Sequence, residues 1–303
     1  MKTAVSTKRL CKGSLAVLTL FFLAVYCGVR SLPVEPCDFL HSQDTLGDGE
    51  GLEYCGPGES SFIDLDKVRF PLRVEVRPLA QPIEGETCQF LMTIHNYKGQ
   101  QLTAADFALS HTEKVHLLCV DESLRDYQHV HPQELPSGEF GFSLTPKKGG
   151  IYKVFLDFII RRSGSRVLLQ DSFRVEGPGS QPLWNVMPEK QSGDYSFALR
   201  MPSEGISAGQ AHSLELKVWN STKGEPARLE PVMGAFAHLV AFDADRRGFA
   251  HFHPLNEQDP LWNPSKSALQ FSFSLDSVGA YRLWAQVKLE GQEVFVPFDL
   301  KVI

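Results

Sequence analysis

Beyond residue 30, apolar and polar residues alternate with a period of two over runs of five to seven residues. Phe90-x-Met92-x-Ile94, Phe140-x-Phe142-x-Leu144, Leu214-x-Leu216-x-Val218 and Phe271-x-Phe273-x-Leu275 are the clearest of these runs. Gly, Pro, Asn and Asp separate them. This is the period of β-strands bounded by turns, and no comparable recurrence at three and four residues marks a helix in this region. The one exception lies at the N-terminus, where the apolar stretch Leu15 to Val29 contains no charge.

The strand pattern occurs twice. Phe90-x-Met92-x-Ile94-x-Asn96 matches Leu214-x-Leu216-x-Val218-x-Asn220, and Gly150-Ile-Tyr152-Lys-Val154 matches Gly279-Ala-Tyr281-Arg-Leu283. About seven short strands in each copy of roughly 110 residues predict an all-β chain of two tandem immunoglobulin-like antiparallel β-sandwiches, following an N-terminal transmembrane or signal helix. The predicted organisation is a signal anchor or signal peptide over 1–30, a polar linker over 31–66, the first sandwich over 67–176, a Pro/Gly linker over 177–193 and the second sandwich over 194–303. At 303 residues and 43% hydrophobic composition the chain can fill two cores.

Within the repeat, one block of seventeen residues recurs 122 positions on. His116-Leu-Leu-Cys-Val-Asp…Tyr127-Gln-His129-Val-His131-Pro132 is echoed by His238-Leu-Val-Ala-Phe-Asp…Phe249-Ala-His251-Phe-His253-Pro254, so six of the 10 histidines take matching places. If Val120 faces Tyr127 across a hairpin, His116 faces His131, with His129 two residues back on the same face. The same step from Phe242 and Phe249 pairs His238 with His253, beside His251. Opposite Cβ atoms in such pairs lie on the order of 5 Å apart. Three clustered neutral imidazoles suit zinc or copper, because no proton need leave to free their lone pairs. His116, His129, His131, His238, His251 and His253 are therefore the candidate metal ligands. His111 aligns with Met233 as a candidate fourth ligand that favours copper, although strand parity puts Met233 on the opposite face unless Gly234 bulges the chain. Asp157 and Gln286, aligned on the Gly-x-Tyr strand, are further candidates for a fourth or outer group. A competing reading keeps the histidines as packing residues that share an ancestor, with Pro132 and Pro254 ending the strands.

Charge and cysteine usage narrow the setting. A net charge of -6 without a basic stripe argues against nucleic acid as a partner. Lys2, Lys8, Arg9 and Lys12 before the apolar stretch predict an N-terminus left in the cytoplasm, and a bulk that is periplasmic or extracellular and tethered to the membrane. Cys37, Cys55, Cys88 and Cys119 would then face an oxidising compartment as disulfide candidates, with Cys88 and Cys119 able to pair or to remain buried thiols. No Gly-x-Ser-x-Gly is present, and Glu134 and Glu257 are the only acids close after the His-Pro pairs. The chain is accordingly expected not to be an enzyme, and a metal-dependent enzyme ranks third among its readings.

The blocks Met233-Gly-Ala-x-Ala-His238-Leu-Val…Phe249-x-His251-x-His253-Pro254 and Gly279-x-Tyr281-Arg-Leu-Trp284-Ala-Gln286 resemble a bacterial group of exported β-sandwich proteins similar to YtkA/FixH-like domains. The resemblance implies heavy-metal, chiefly copper, handling. The first copy departs from the pattern, with His111 for Met, Phe155 for Trp and Asp157 for Gln. The leading expectation is an exported, membrane-anchored copper-binding carrier, buffer or sensor, with zinc as the alternative ion and a membrane or secreted protein as partner. The runner-up is a metal-free structural or protein-interaction module.

Overall fold

The computed structural model describes residues 7–30, 60–110, 112–256, 263 and 268–303. The N-terminal segment is an α-helix, Thr7–Arg30. Among the described residues no helix is long and apolar enough to cross a membrane.

The rest of the fold is two antiparallel sandwiches. The first sandwich has an outer sheet in the order Leu72–Pro78, Cys88–Asn96, Phe140–Leu144, Gln133–Glu134, and an inner sheet in the order Ser165–Val175, Gly150–Ile160, Val115–Val120, Tyr127–Val130. The second sandwich repeats this plan. Its outer sheet runs Ala268–Ser274, Ala211–Asn220, Tyr195–Arg200, Glu189–Ser192, and its inner sheet Gly248–Phe252, His238–Asp243, Gly279–Leu289, Gln292–Val302. Each sandwich fills its own core with alternate side chains. Val115, Leu117, Cys119, Val154, Leu156 and Phe158 lie inside the first, and Leu239, Ala241, Leu283, Ala285 and Val287 inside the second.

The residues between those positions point the other way, and they too are buried. Leu118, Val120, Leu124, Tyr127, Phe155 and Leu168 of the first inner sheet meet Val240, Phe242, Phe249 and Trp284 of the second. The two inner sheets thus pack back to back through a third apolar core, giving four stacked β layers. This is why every residue of Val115–Val120 and of His238–Asp243 is buried rather than every other one. Two turns with matching positive-φ residues, Leu124 (φ 58) and Arg246 (φ 54), dock on the opposite sandwich. The Leu124 carbonyl accepts from Trp284 Nε1 at 3.2 Å and Arg282 Nη1 at 3.3 Å, and the Arg246 carbonyl accepts from Lys153 Nζ at 2.7 Å. Each sandwich therefore makes the same contact on the other, as a pseudo-two-fold relation requires.

Two boundaries differ from the sequence expectation. Residues 31–66 read as a polar linker, yet Ser60–Ser61 pairs in parallel with Ala268–Ser274 and Ile63–Asp64 pairs with Gly248–Phe252. The chain thus contributes two strands to the second sandwich before it builds the first. Phe62, 4% exposed, anchors this strap in the second core. Gly248 is where the strap crosses, and a Cβ there would collide with the Ile63 carbonyl. The Pro/Gly linker 177–193 is shorter than expected, because Glu189–Ser192 is already the edge strand of the second sandwich.

The cysteine pairing is also resolved for part of the set. Cys88 and Cys119 are free buried thiols rather than a disulfide. They sit in different sheets, Cys88 opposite Leu144 and Cys119 opposite Val154. Burial pushes the Cys119 thiol well above its ordinary range, which makes it an inert packing group. Cys37 and Cys55 lie outside the described residues.

Candidate metal centre

The hairpin register places the histidines together. Val120 pairs with Tyr127 and Leu117 with Val130, while Phe242 pairs with Phe249 and Leu239 with Phe252. One step further along each ladder brings His116 toward His131 and His238 toward His253, as the sequence spacing predicts. His116, His129 and His131 form one trio and His238, His251 and His253 the other, each with three ring nitrogens within 4.8 Å of one another. In the first trio His116 Nδ1 lies 3.2 Å from His129 Nε2. In the second, His238 Nδ1 lies 3.1 Å from His251 Nε2 and 3.0 Å from His253 Nε2. Two nitrogens bound tetrahedrally to one ion at about 2.0–2.1 Å stand about 3.3 Å apart. The separations fit a shared ion.

Hydrogen bonds at the far side of the rings decide where the protons are. His116 Nε2 is 2.8 Å from the Ser110 carbonyl and His238 Nε2 is 2.9 Å from the Val232 carbonyl. A carbonyl can only accept, so both rings carry their proton on Nε2, and Nδ1 of the neutral ring holds a lone pair. His129 Nδ1 lies 3.0 Å from Gln286 Oε1, whose orientation is set because Gln286 Nε2 donates to Glu293 at 2.8 Å. His129 Nε2 is therefore also a lone pair. His251 Nδ1 faces Asp157 Oδ2 at 3.8 Å. In the first trio the lone pairs of His116 Nδ1 and His129 Nε2 thus face each other, while in the second His253 Nε2 is placed to donate to His238 Nδ1.

Protonation does not resolve the conflict, because burial opposes it. Burial, followed by the like charge that His251 could carry, lowers His116 to about 4. Burial, then His116 and His251, lowers His131 to about 4. His129, wholly buried, is held well below its ordinary value for the same reasons. His131 Nε2 is itself buried without a hydrogen-bond partner, an arrangement that costs stability unless a ligand satisfies it. Asp157 behaves in the opposite way. Burial alone would raise it, but Arg166, bonded through Nε at 2.8 Å and Nη2 at 2.5 Å, holds the carboxyl well below the usual carboxylate range.

Asp157 and Gln286 were candidates for a fourth or outer group, and they occupy outer positions in a way the sequence did not indicate. In register Asp157 pairs with His116 and Gln286 with His238, yet each orients a histidine of the other sandwich. Met233 stands at the tip of a tight turn with φ 50, followed by Gly234 at φ 78, and Val232 and Ala235 exchange both backbone bonds across it. The turn serves the site through its Val232 carbonyl, and Met233 is off the strand face that carries the trio. Ser110 and Glu113 close the matching turn in the first sandwich. His111, between them, lies outside the described residues. Glu134 is exposed on an edge strand and accepts from the Ala104 amide, away from the trio.

The duplicated site coincides with a duplicated sequence family. The family described as Domain of unknown function (DUF8832) matches residues 72–175 and again residues 190–303. The chain belongs to this family. Each DUF8832 copy carries one complete histidine trio. No curated protein matches the chain. Among solved structures, the Escherichia coli adhesin FdeC is similar at 13% identity, covering 76% of this chain and 64% of that one, with a TM-score of 0.24. Invasin, a bacterial integrin-binding protein, aligns at 14% identity over 76% and 39% with a TM-score of 0.21, and a putative membrane anchored protein from Corynebacterium diphtheriae at 8% over 76% and 57% with a TM-score of 0.23. This DUF8832 chain spans less than two thirds of each of these proteins, and alignments at such scores assign it neither function nor partner.

Proposed function

We propose that this tandem DUF8832 protein binds metal ions, one in each histidine trio, as an exported carrier, buffer or sensor. Copper is the favoured ion and zinc the alternative. The observation that carries the reading is the convergence of three ring nitrogens within 4.8 Å in both copies, with the lone pairs of His116 and His129 turned toward each other in the first. A cation is the simplest group that turns this repulsion into attraction. Three neutral imidazoles without a carboxylate ligand suit a monovalent copper ion in a buried site better than a dication, whose transfer from water costs more. The half-buried His131 and His253 lie at the solvent side of each trio and would admit the ion. The basic N-terminal segment supports export.

A second reading, a protein-interaction module, draws on the exposed apolar run after the first sandwich, where Leu183 is 63% and Val186 54% exposed. Metal titration separates the two. The full chain, stripped of metal and titrated at pH 7, is expected to take up two ions. The first trio is expected to keep its ion to about pH 5, because its His116 and His131 protonate only near 4 rather than near 6.5. A chain that takes up no metal would leave the interaction reading.

A further inference from the structure

We propose that the two trios are one coupled centre across the interface, in which the trio His238/His251/His253 fills first and a dication there weakens the other trio for a second. This rests on the metal-binding reading above and concerns how the two sites act on each other.

Three observations carry it. The trios are neighbours: His129 lies 5.8 Å from His251 and 6.2 Å from His238 between ring centroids, and His116 lies 6.1 Å from His251. All of His116, His129, His238 and His251 are buried, so little solvent screens one ion from the other. No ligand in either trio carries a negative charge, and Asp157, 3.8 Å from His251, is ion-paired with Arg166. Two dications would therefore face each other across a few ångströms of neutral interior, and repulsion in such a medium is strong.

The outer groups set the order. Asp157 of the first sandwich stands behind His251 of the second, and Gln286 of the second behind His129 of the first. An ionised carboxylate behind an imidazole raises the basicity of its ligand nitrogen more than a neutral amide does. The trio backed by Asp157 is thus the stronger site. Each trio takes an outer partner from the other sandwich, so the sites are linked through the same docked interface.

The test is a competition titration of the full chain with Zn2+. His131→Ala and His253→Ala are suitable variants, because each ring contacts only its own trio among the ring pairs of the centre. The wild type is expected to show two steps. His131→Ala should keep the tight step unchanged within about threefold. His253→Ala should leave the first trio binding at least about tenfold tighter than the second step of the wild type, because no first ion opposes it. Independent sites would give a His253→Ala affinity equal to that second step, or two equal steps in the wild type, and either result overturns the coupling while leaving metal binding intact. Absence of binding in every protein overturns both. If a variant does not fold, Ag+ on the wild type decides, read on the imidazole NMR signals so that thiols do not count. The gap between the steps should shrink with the lower ionic charge, and a gap unchanged from Zn2+ contradicts the proposal.

Discussion

Replacing His251 and His253 together with alanine should reduce metal uptake from two ions per chain to one, and adding His129→Ala and His131→Ala should reduce it to none. His251 offers Nε2 and His253 Nε2 to the position that His238 Nδ1 faces at 3.1 and 3.0 Å, so the double variant leaves a single imidazole there. The loss has a thermodynamic counterpart. An ion held at a hundred times its dissociation constant stabilises the folded chain by about 2.7 kcal/mol per site. The rise in unfolding temperature on loading should therefore roughly halve in the double variant and vanish in the quadruple one. The variants without metal should differ little in secondary structure, since both His-x-His segments end strands whose ladders are made by backbone pairing, Val120 with Tyr127 in one hairpin and Phe242 with Phe249 in the other. Unchanged stoichiometry in the quadruple variant would show that the ions bind elsewhere.

Phe242→Ala should damage both stability and metal binding although it lies away from the histidines. Phe242 is fully buried, and its ring centroid lies 5.6 Å from those of Tyr127 and Phe155 of the first sandwich and 6.5 Å from that of Phe249 on its own hairpin. Truncating such a residue removes its transfer free energy and leaves a cavity, at a cost of about 3–5 kcal/mol. Chemical denaturation should show this loss. Because Phe242 lies in the layer that docks one sandwich on the other, a second effect should accompany it. Loosening that layer withdraws Gln286 from His129 and Asp157 from His251, and loss of such outer partners costs on the order of 10–100-fold in metal affinity. The equally buried Phe271, inside the second sandwich alone, is the control. Its truncation should cost similar stability with a smaller effect on the ion. Equal effects of Phe242→Ala and Phe271→Ala on metal affinity would contradict the role given to the interface.

Much of the site was legible in the chain, and the reason is local. A hairpin closed by a short turn converts spacing into cross-strand neighbours, so the Val120–Tyr127 and Phe242–Phe249 pairs were sufficient to bring each trio together. The fold class was legible for the same reason, through period-two alternation. Back-to-back packing was not read, although a trace of it existed. His116-Leu-Leu-Cys-Val120 and His238-Leu-Val-Ala-Phe242 contain no solvent-facing polar position, which is the mark of a sheet buried on both faces. The reciprocal roles of Asp157 and Gln286 had no sequence signature, since they depend on a contact between residues more than 90 positions apart. Ser60–Asp64 was hidden differently. Its strands are only two residues long and fall too short for any periodicity, and their partners lie in the more distant sandwich. That Cys88 and Cys119 stay free, with Cys88 Sγ turned to the Ala80 carbonyl, is something spacing along the chain cannot reveal.

The central claim is that imidazole nitrogens, and not the buried or exposed thiols, hold the ions. X-ray absorption at the zinc or copper edge of the fully loaded chain tests it most directly. The account predicts about three nitrogen neighbours per ion at about 2.0–2.1 Å, with the outer-ring scattering of histidine. A first shell dominated by sulfur at about 2.3 Å, or by oxygen without imidazole scattering, would contradict it.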